Sequence, residues 1–221
     1  MKKLSLSEKS YLELKKQLFE MNSGDFLSIR HCAIRYGTSY TPMRNAFLRL
    51  EEEGFLKKIP EVGYFVQKPD YVDFCSLFQV RKCIEPYTLK EVFRKITPEE
   101  LDNLMRINLE IEQAQQKEEW ERTLDLDIEL HNFFCRKYGN AYLEQLYTTA
   151  RNRYKNIIIR NLSKLGTEEL QKRETYDHSS LIEAIRNQDL ELALALLNDH
   201  IDGACIRMTK RGISVMNKEE K

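Results

Sequence analysis

The chain has 221 residues, of which 42% are hydrophobic and 32% are charged, so it can bury a core and is not disordered by composition. Its eight glycines and five prolines are few, which argues against a turn-rich all-β protein. Basic and acidic residues number 35 each, but residues 1–70 hold 12 basic and 9 acidic side chains, whereas residues 71–221 hold 23 and 26. A modestly basic first part and a modestly acidic second part indicate two different roles.

The sequence gives no sign of export or membrane insertion. No apolar run follows the two lysines at the N-terminus, so no signal peptide is predicted. No stretch approaches the roughly 18 apolar residues of a membrane-spanning helix. The five cysteines are odd in number and include no Cys-x-x-Cys pair. We therefore expect a cytoplasmic protein without a membrane partner, a disulfide framework or a thiolate metal site.

Three short helices are predicted at the start of the chain. The first covers residues 6–21, where apolar residues recur at helical spacing. The second runs from about residue 28 to residue 36 and stops at Gly37, a residue suited to a helix C-terminus. Ser39 or Thr41 can cap the third, which ends at Gly54. The third helix turns one apolar face inward: Met43, Ala46, Phe47 and Leu50.

Two short β-prone runs follow, residues 55–59 and 64–67, on either side of a Pro/Gly turn. This pattern predicts a β-hairpin. Three helices and a hairpin are the layout of a winged helix-turn-helix, although an ordinary small helical subdomain with a hairpin has the same pattern.

From residue 70 onward only helices are predicted. Breaks such as Gly139-Asn140 and the acidic first turn after Thr97 separate them. The predicted helices form a bundle of six and cover residues 73–94, 98–118, 119–137, 141–160, 168–187 and 190–213. Six helices in about 145 residues indicate an antiparallel bundle.

Residues 36–56, YGTSYTPMRNAFLRLEEEGFL, resemble the core of the GntR-type bacterial transcription regulators, and residues 63–66, GYFV, resemble the end of that family's wing. Residues 78–86 and 97–101 resemble the first two helices of the FCD ligand-binding domain, in its shorter VanR-like version. The resemblance implies a mostly α protein. An N-terminal winged helix-turn-helix DNA-binding domain would cover residues 1–69, and a C-terminal six-helix antiparallel bundle residues 70–221. It also implies a two-fold symmetric homodimer on operator DNA.

The third helix carries the predicted DNA contacts. Arg44 and Asn45 lie off its apolar face, and a guanidinium there can pair with guanine in the major groove. The resemblance assigns phosphate contacts to Arg30 and Arg49. Further contacts are predicted from hydroxyls at the helix start and from the wing backbone: Ser39, Thr41 and Gly63. Tyr40 replaces the arginine that is usual in the family; it can hydrogen-bond a phosphate or stack on a sugar, and we include it among the predicted DNA contacts. Because Ile29 also replaces an acidic residue, the usual operator sequence is not expected.

Three of the four histidines fall in the predicted bundle. Asp127 and His131 are four residues apart, on one face of one helix, which is the spacing that a shared metal ion needs. His178 and His200 lie on two later helices. From spacing alone, surface groups or hydrogen-bonded core groups also explain these residues.

The resemblance to metal-binding FCD domains implies that these four residues form one metal site. One carboxylate and three imidazoles suit Zn²⁺, with Ni²⁺, Mn²⁺ or Fe²⁺ as alternatives. In that family a small organic acid, the effector, binds at open positions of the metal. Arg81 matches a family position that faces the effector, but it can also form an ion pair with Glu85. His31 is expected to be an unrelated surface residue.

The predicted function is therefore a transcription regulator, most simply a repressor, whose operator affinity is controlled by a small carboxylate effector. The alternative is a metal-dependent hydrolase that uses the three-His, one-Asp site. Against it, no Ser-His, Cys-His or paired acid–base motif accompanies the metal residues, and a winged helix has no task in a hydrolase. A third possibility is a helical adaptor protein without metal. We expect that the protein is not an enzyme.

Overall fold

The structure is a computed structural model that describes residues 4–67, 71–162 and 178–219. The chain divides into two compact units, Met1–Pro69 and Asp70–Lys221.

The first unit contains three α-helices, α1 (Leu6–Glu20), α2 (Ile29–Arg35) and α3 (Tyr40–Glu52). Helix α1 begins where the Ser5 side chain accepts a hydrogen bond from the Glu8 backbone N–H, at 3.1 Å. The three helices lie within a residue or two of the predicted bounds. Ser39 occupies the N-cap position of α3, but its hydroxyl makes no capping hydrogen bond.

Three short strands complete this unit: β1 (Phe26–Leu27), β2 (Leu56–Ile59) and β3 (Gly63–Val66). They form an antiparallel sheet in the order β1-β3-β2. The sequence predicted only the β2–β3 hairpin. Strand β1 was missed because two residues are too few to show the alternation that marks a strand.

The core of the first unit joins α1, α3 and the sheet. Leu14, Leu18, Phe47 and Leu50 are fully buried, and Tyr64 of β3 packs edge-on against the Phe47 ring at 4.9 Å between centroids. The opposite side of α3 is exposed. Packing of one face against a sheet thus leaves the other face available for a partner, as the winged-helix prediction requires.

The described part of the second unit contains six α-helices and one 3₁₀ turn. The helices are α4 (Tyr71–Val92), α5 (Pro98–Gln116), α6 (Trp120–Tyr138), α7 (Ala141–Leu162), α8 (Ser179–Arg186) and α9 (Leu190–Glu219); the 3₁₀ turn, Phe93–Lys95, follows α4. The part of the predicted fifth helix at residues 168–177 lies outside the described residues. The fold class, a winged helix-turn-helix plus a helical domain, is confirmed.

Helix ends in this unit follow local chemistry. Thr97 and Glu100 form a reciprocal capping box at the start of α5, as the sequence predicted. Helix α6 ends at Gly139, whose φ of 83° is in the left-handed region that glycine adopts without strain. The turn at Gly139 ends the helix that carries Asp127 and His131.

Candidate metal centre and nucleic-acid interface

Helix α6 carries the first two candidate ligands. Its buried face includes Leu124, Asp127, Ile128 and His131, so two polar side chains stand among apolar neighbours. Asp127 is 1% exposed and His131 is not exposed at all. Such polar groups are costly to bury unless they have partners.

The other two candidate ligands reach the same point from separate elements. His178 is the N-cap residue of α8, and His200 lies on α9. One ligand atom from each of Asp127, His131, His178 and His200 lies within 4.8 Å of the others. The structure thus brings together all four residues that the resemblance implies.

The distances between these atoms suit a single metal ion. Nε2 of His131 lies 3.1 Å from Nε2 of His178, and Asp127 Oδ1 lies 3.6 Å and 3.3 Å from these two nitrogens. Adjacent ligands about 2.1 Å from one ion are roughly 3.0–3.4 Å apart in octahedral or tetrahedral arrangements. The distances from His178 Nε2 to His131 Nε2 and to Asp127 Oδ1 lie in this range, and the distance from His131 Nε2 to Asp127 Oδ1 is slightly longer. Asp127 Oδ1 is buried and has no hydrogen-bond partner among the described residues. The donor set and this unpartnered oxygen both fit a bound cation.

An acidic side chain of α4, Glu85, lies against His131, and a basic side chain of the same helix, Arg81, pairs with it. Nδ1 of His131 lies 2.8 Å from Glu85 Oε2. The other Glu85 oxygen accepts hydrogen bonds from Arg81 Nε and from the Tyr147 hydroxyl, each at 2.6 Å. Because Nδ1 faces a carboxylate, Nε2 is the His131 nitrogen left for a metal.

Asn108 of α5 positions His178. Its side-chain oxygen accepts a hydrogen bond from the His178 backbone N–H at 2.9 Å and lies 3.2 Å from His178 Nδ1. Its amide nitrogen donates to Glu112 and to Ser179, at 3.1 and 3.0 Å. His178 Nε2 is thereby directed away from Asn108, toward Asp127 and His131.

Arg151 of α7 holds Asp127. Its Nη2 donates to Asp127 Oδ2, and its side chain is fully buried. Asn108, Tyr147 and Arg151 were not found from the sequence. Each meets its partner across a long sequence separation, for which a single sequence carries no spacing signal.

Burial and nearby charges determine the protonation states of Asp127, His131 and His200. Burial alone would raise the pKa of Asp127, but Arg151 and the two nearby histidines hold that pKa well below its usual range. Burial lowers the pKa of His131 to about 4 despite the neighbouring carboxylates, and it also lowers the pKa of His200 well below the usual range. At neutral pH, Asp127 is ionised and these two imidazoles are neutral, which are the forms that bind metal.

Arg81 is 2% exposed and forms an ion pair with Glu85, which is one of the two roles predicted for it from the sequence. Its Nε and Nη2 lie 2.6 and 3.4 Å from the two Glu85 oxygens. Burial and Arg81 act in opposite directions on Glu85, and Arg81, with His131, holds the pKa of Glu85 well below its usual range. A contact between Arg81 and an effector stays a prediction.

All of the predicted DNA-contact residues except Gly63 are exposed in the first unit. The exposed residues there are Arg30 on α2 and, at or on α3, Ser39, Tyr40, Thr41, Arg44, Asn45 and Arg49. Arg49 is engaged within the unit, because its guanidinium lies 3.7 Å from the centre of the Tyr11 ring and its Nε donates to Glu53 at 3.0 Å. His31 is exposed, as expected.

Gly63 begins β3 and has a φ of 145°. A Cβ atom at this position would lie 2.5 Å from the Phe26 ring of β1. Packing of the wing against Phe26 therefore accounts for this glycine, and its predicted DNA contact stays a prediction.

The family model of the FCD domain matches residues 76–203, which include all four candidate ligands. The chain belongs to the FCD-domain family. An uncharacterized HTH-type transcriptional regulator in an unstable DNA locus of Streptomyces ambofaciens is 24% identical over 195 residues, 86% of this chain and 80% of that protein.

Two solved structures share the fold of this chain. McbR/YncC of E. coli matches with a TM-score of 0.68 and 19% identity over 99% of this chain and all of that one. A GntR-family transcriptional regulator from Pseudomonas syringae pv. tomato matches with a TM-score of 0.58 and 20% identity, over 97% of this chain and 89% of that one. The family and these relatives are transcription regulators, not enzymes, and this chain is a GntR-type transcription regulator of the FCD branch. No helix in the described ranges is long and apolar enough to cross a membrane.

Proposed function

We propose that this regulator is a cytoplasmic homodimeric repressor whose affinity for operator DNA is set by a small organic acid bound at a divalent metal ion. The observation that carries the proposal is the convergence of Asp127, His131, His178 and His200 at one point, where the first three are buried and His200 is half-buried. A site of this kind in a DNA-binding protein serves sensing rather than hydrolysis.

Zn²⁺ fits the donor set best. Three imidazole nitrogens and one carboxylate oxygen, without thiolate, are typical of zinc, and Ni²⁺, Mn²⁺ and Fe²⁺ accept the same atoms. Glu85 and Asn108 would hold two of the imidazoles in the orientation that presents Nε2. The ion would offer the effector's carboxylate a positively charged binding position.

An effector changes DNA affinity only as far as it binds two conformations differently, which typically amounts to about 1–3 kcal/mol. The metal-binding side chains lie on α6, at the N-cap of α8 and on α9. An effector bound to the metal would therefore act on three elements at once. We propose that their rearrangement alters how the winged helices of the dimer meet the operator.

The metal site is tested with His178→Ala and His200→Ala, and with His31→Ala as the matched control because His31 is exposed and lies in the other unit. Both bundle variants should lose metal, measured by mass spectrometry of the purified protein, and should lose the effector response. The control should keep both. A full metal complement in the two bundle variants would contradict the site.

DNA recognition is tested with Arg44→Ala. We expect specific operator binding to weaken by about 1–3 kcal/mol, with relaxed preference at one base pair. Changing the exposed wing residues Lys57 and Lys58 to Ala should weaken binding to all sequences alike and reduce its salt dependence. Unchanged operator affinity and discrimination in Arg44→Ala, measured by fluorescence anisotropy, would show that α3 is not the recognition helix.

A further inference from the structure

Arg151 is a buried cation whose hydrogen-bonding capacity is only partly used. Its Nη2 donates to Asp127, but its Nε and Nη1 are buried and have no hydrogen-bond partner among the described residues. Leaving N–H groups of a buried charged side chain unbonded is costly. An acceptor from outside the described chain would remove that cost.

The charges around the metal centre point to the nature of this acceptor. The charged side chains that are buried in the described residues are two cations and two anions, Arg81, Arg151, Glu85 and Asp127. They form one connected cluster through His131. Glu85, which pairs with Arg81, contacts one nitrogen of His131, and Asp127, which pairs with Arg151, lies 3.6 Å from the other.

This cluster is electrically balanced before a metal binds. Metal-bound histidines are neutral, so a divalent ion brings two uncompensated positive charges into a buried site. Buried charge without compensation is strongly unfavourable. A ligand with two negative charges restores the balance, whereas a monocarboxylate leaves one positive charge over.

We infer that the effector is a dicarboxylate, with one carboxylate group for the metal and the other for the unbonded nitrogens of Arg151. The inference rests on the proposed metal-dependent function. Arg81 directs two of its three nitrogens to Glu85, whereas Arg151 directs one to Asp127, so Arg151 has more capacity for an outside anion.

The first test uses the metal-loaded wild-type protein and calorimetric titration. The probes are pairs that differ in one carboxylate: succinate against butyrate, glutarate against pentanoate, and L-malate against 3-hydroxybutyrate. At least one dicarboxylate should bind about tenfold or more tightly than its partner. Equal binding within every pair, or no binding of any dicarboxylate, would overturn the inference.

The second test assigns the preference to Arg151. Arg151→Lys keeps a positive charge but loses the planar group, and Arg153→Lys on the exposed side of the same helix is the matched control. With metal content verified, the tenfold preference should disappear in Arg151→Lys and persist in Arg153→Lys. If Arg151→Lys does not retain metal, Arg151→Gln, which can still donate to Asp127, replaces it. A preference that survives in a metal-loaded Arg151 variant would overturn the assignment.

Metal content and DNA binding separate this inference from the proposed function. A protein that holds one metal ion and binds its operator but shows no dicarboxylate preference refutes the inference alone. A protein that holds no metal refutes the proposed site as well.

Discussion

For two of the three histidines at the candidate centre, neighbouring side chains determine which ring nitrogen is presented. His131 has Glu85 at its Nδ1, and His178 has Asn108 at its own Nδ1. Both rings therefore direct Nε2 toward Asp127. Partners of this kind fix the tautomer and orientation of a metal-binding imidazole, and their loss typically lowers metal affinity about 10–100-fold.

Asn108→Ala should therefore weaken metal binding by about 10–100-fold without removing a ligand. The affinity is measured by competition with a chromophoric chelator. Asn103→Ala is the matched control, because Asn103 lies on the exposed side of the same helix. Identical metal affinities in a folded Asn108→Ala protein and in the control would show that Asn108 does not orient His178.

At the level of elements, the sequence predicted helices better than strands and better than contacts between helices. The cap at Thr97 and the break at Gly139 are local signals, and both mark helix ends in the structure. Strand β1 forms only because β3 lies beside it, so its two residues gave no signal of their own.

The candidate site shows the same division between local and distant information. The pairing of Asp127 with His131 follows from their spacing on one helix, whereas His178 and His200 were assigned only through the family resemblance. Arg151 meets Asp127 between two different helices, and no spacing rule relates them. Contacts of this kind depend on how helices pack, which one sequence does not specify.

The end of α6 provides a test at this level. Gly139→Ala should lower the free energy of unfolding by about 1 kcal/mol. The φ of 83° lies in the left-handed region, where residues other than glycine are strained. Apart from Gly139 itself and its two chain neighbours, no atom of the described residues lies within 4 Å of the added Cβ, so crowding adds nothing. Urea unfolding gives the difference. Gly139→Asn should cost less, since asparagine tolerates this conformation; equal losses for Ala and Asn would contradict the backbone explanation.

At the level of the whole molecule, each unit has a hydrophobic core of its own. One core is built around residues such as Leu14 and Phe47, and the other around residues such as Leu104 and Leu197. The four candidate ligands belong entirely to the second unit. A ligand that binds only the folded state stabilises the unit that holds it.

Metal removal should therefore affect the two units differently. We expect calorimetry to show that a chelator lowers the unfolding temperature of the second unit and leaves that of the first unchanged, and that added Zn²⁺ reverses the effect. The isolated Met1–Pro69 fragment identifies its own transition and serves as the control. An unfolding profile that is the same with and without chelator would contradict a metal bound in the second unit.

The separation of the ligands along the chain has a consequence for the lifetime of the folded second unit. His131 and His178 meet although they are 47 positions apart. Contacts between distant residues form after local helices, so we expect the ion to be captured late in folding. Interactions absent from the folding transition state slow unfolding and leave the folding rate nearly unchanged. Metal binding should then slow the unfolding of the second unit while leaving its folding rate nearly unchanged, so the ion would prolong the lifetime of the folded receptor.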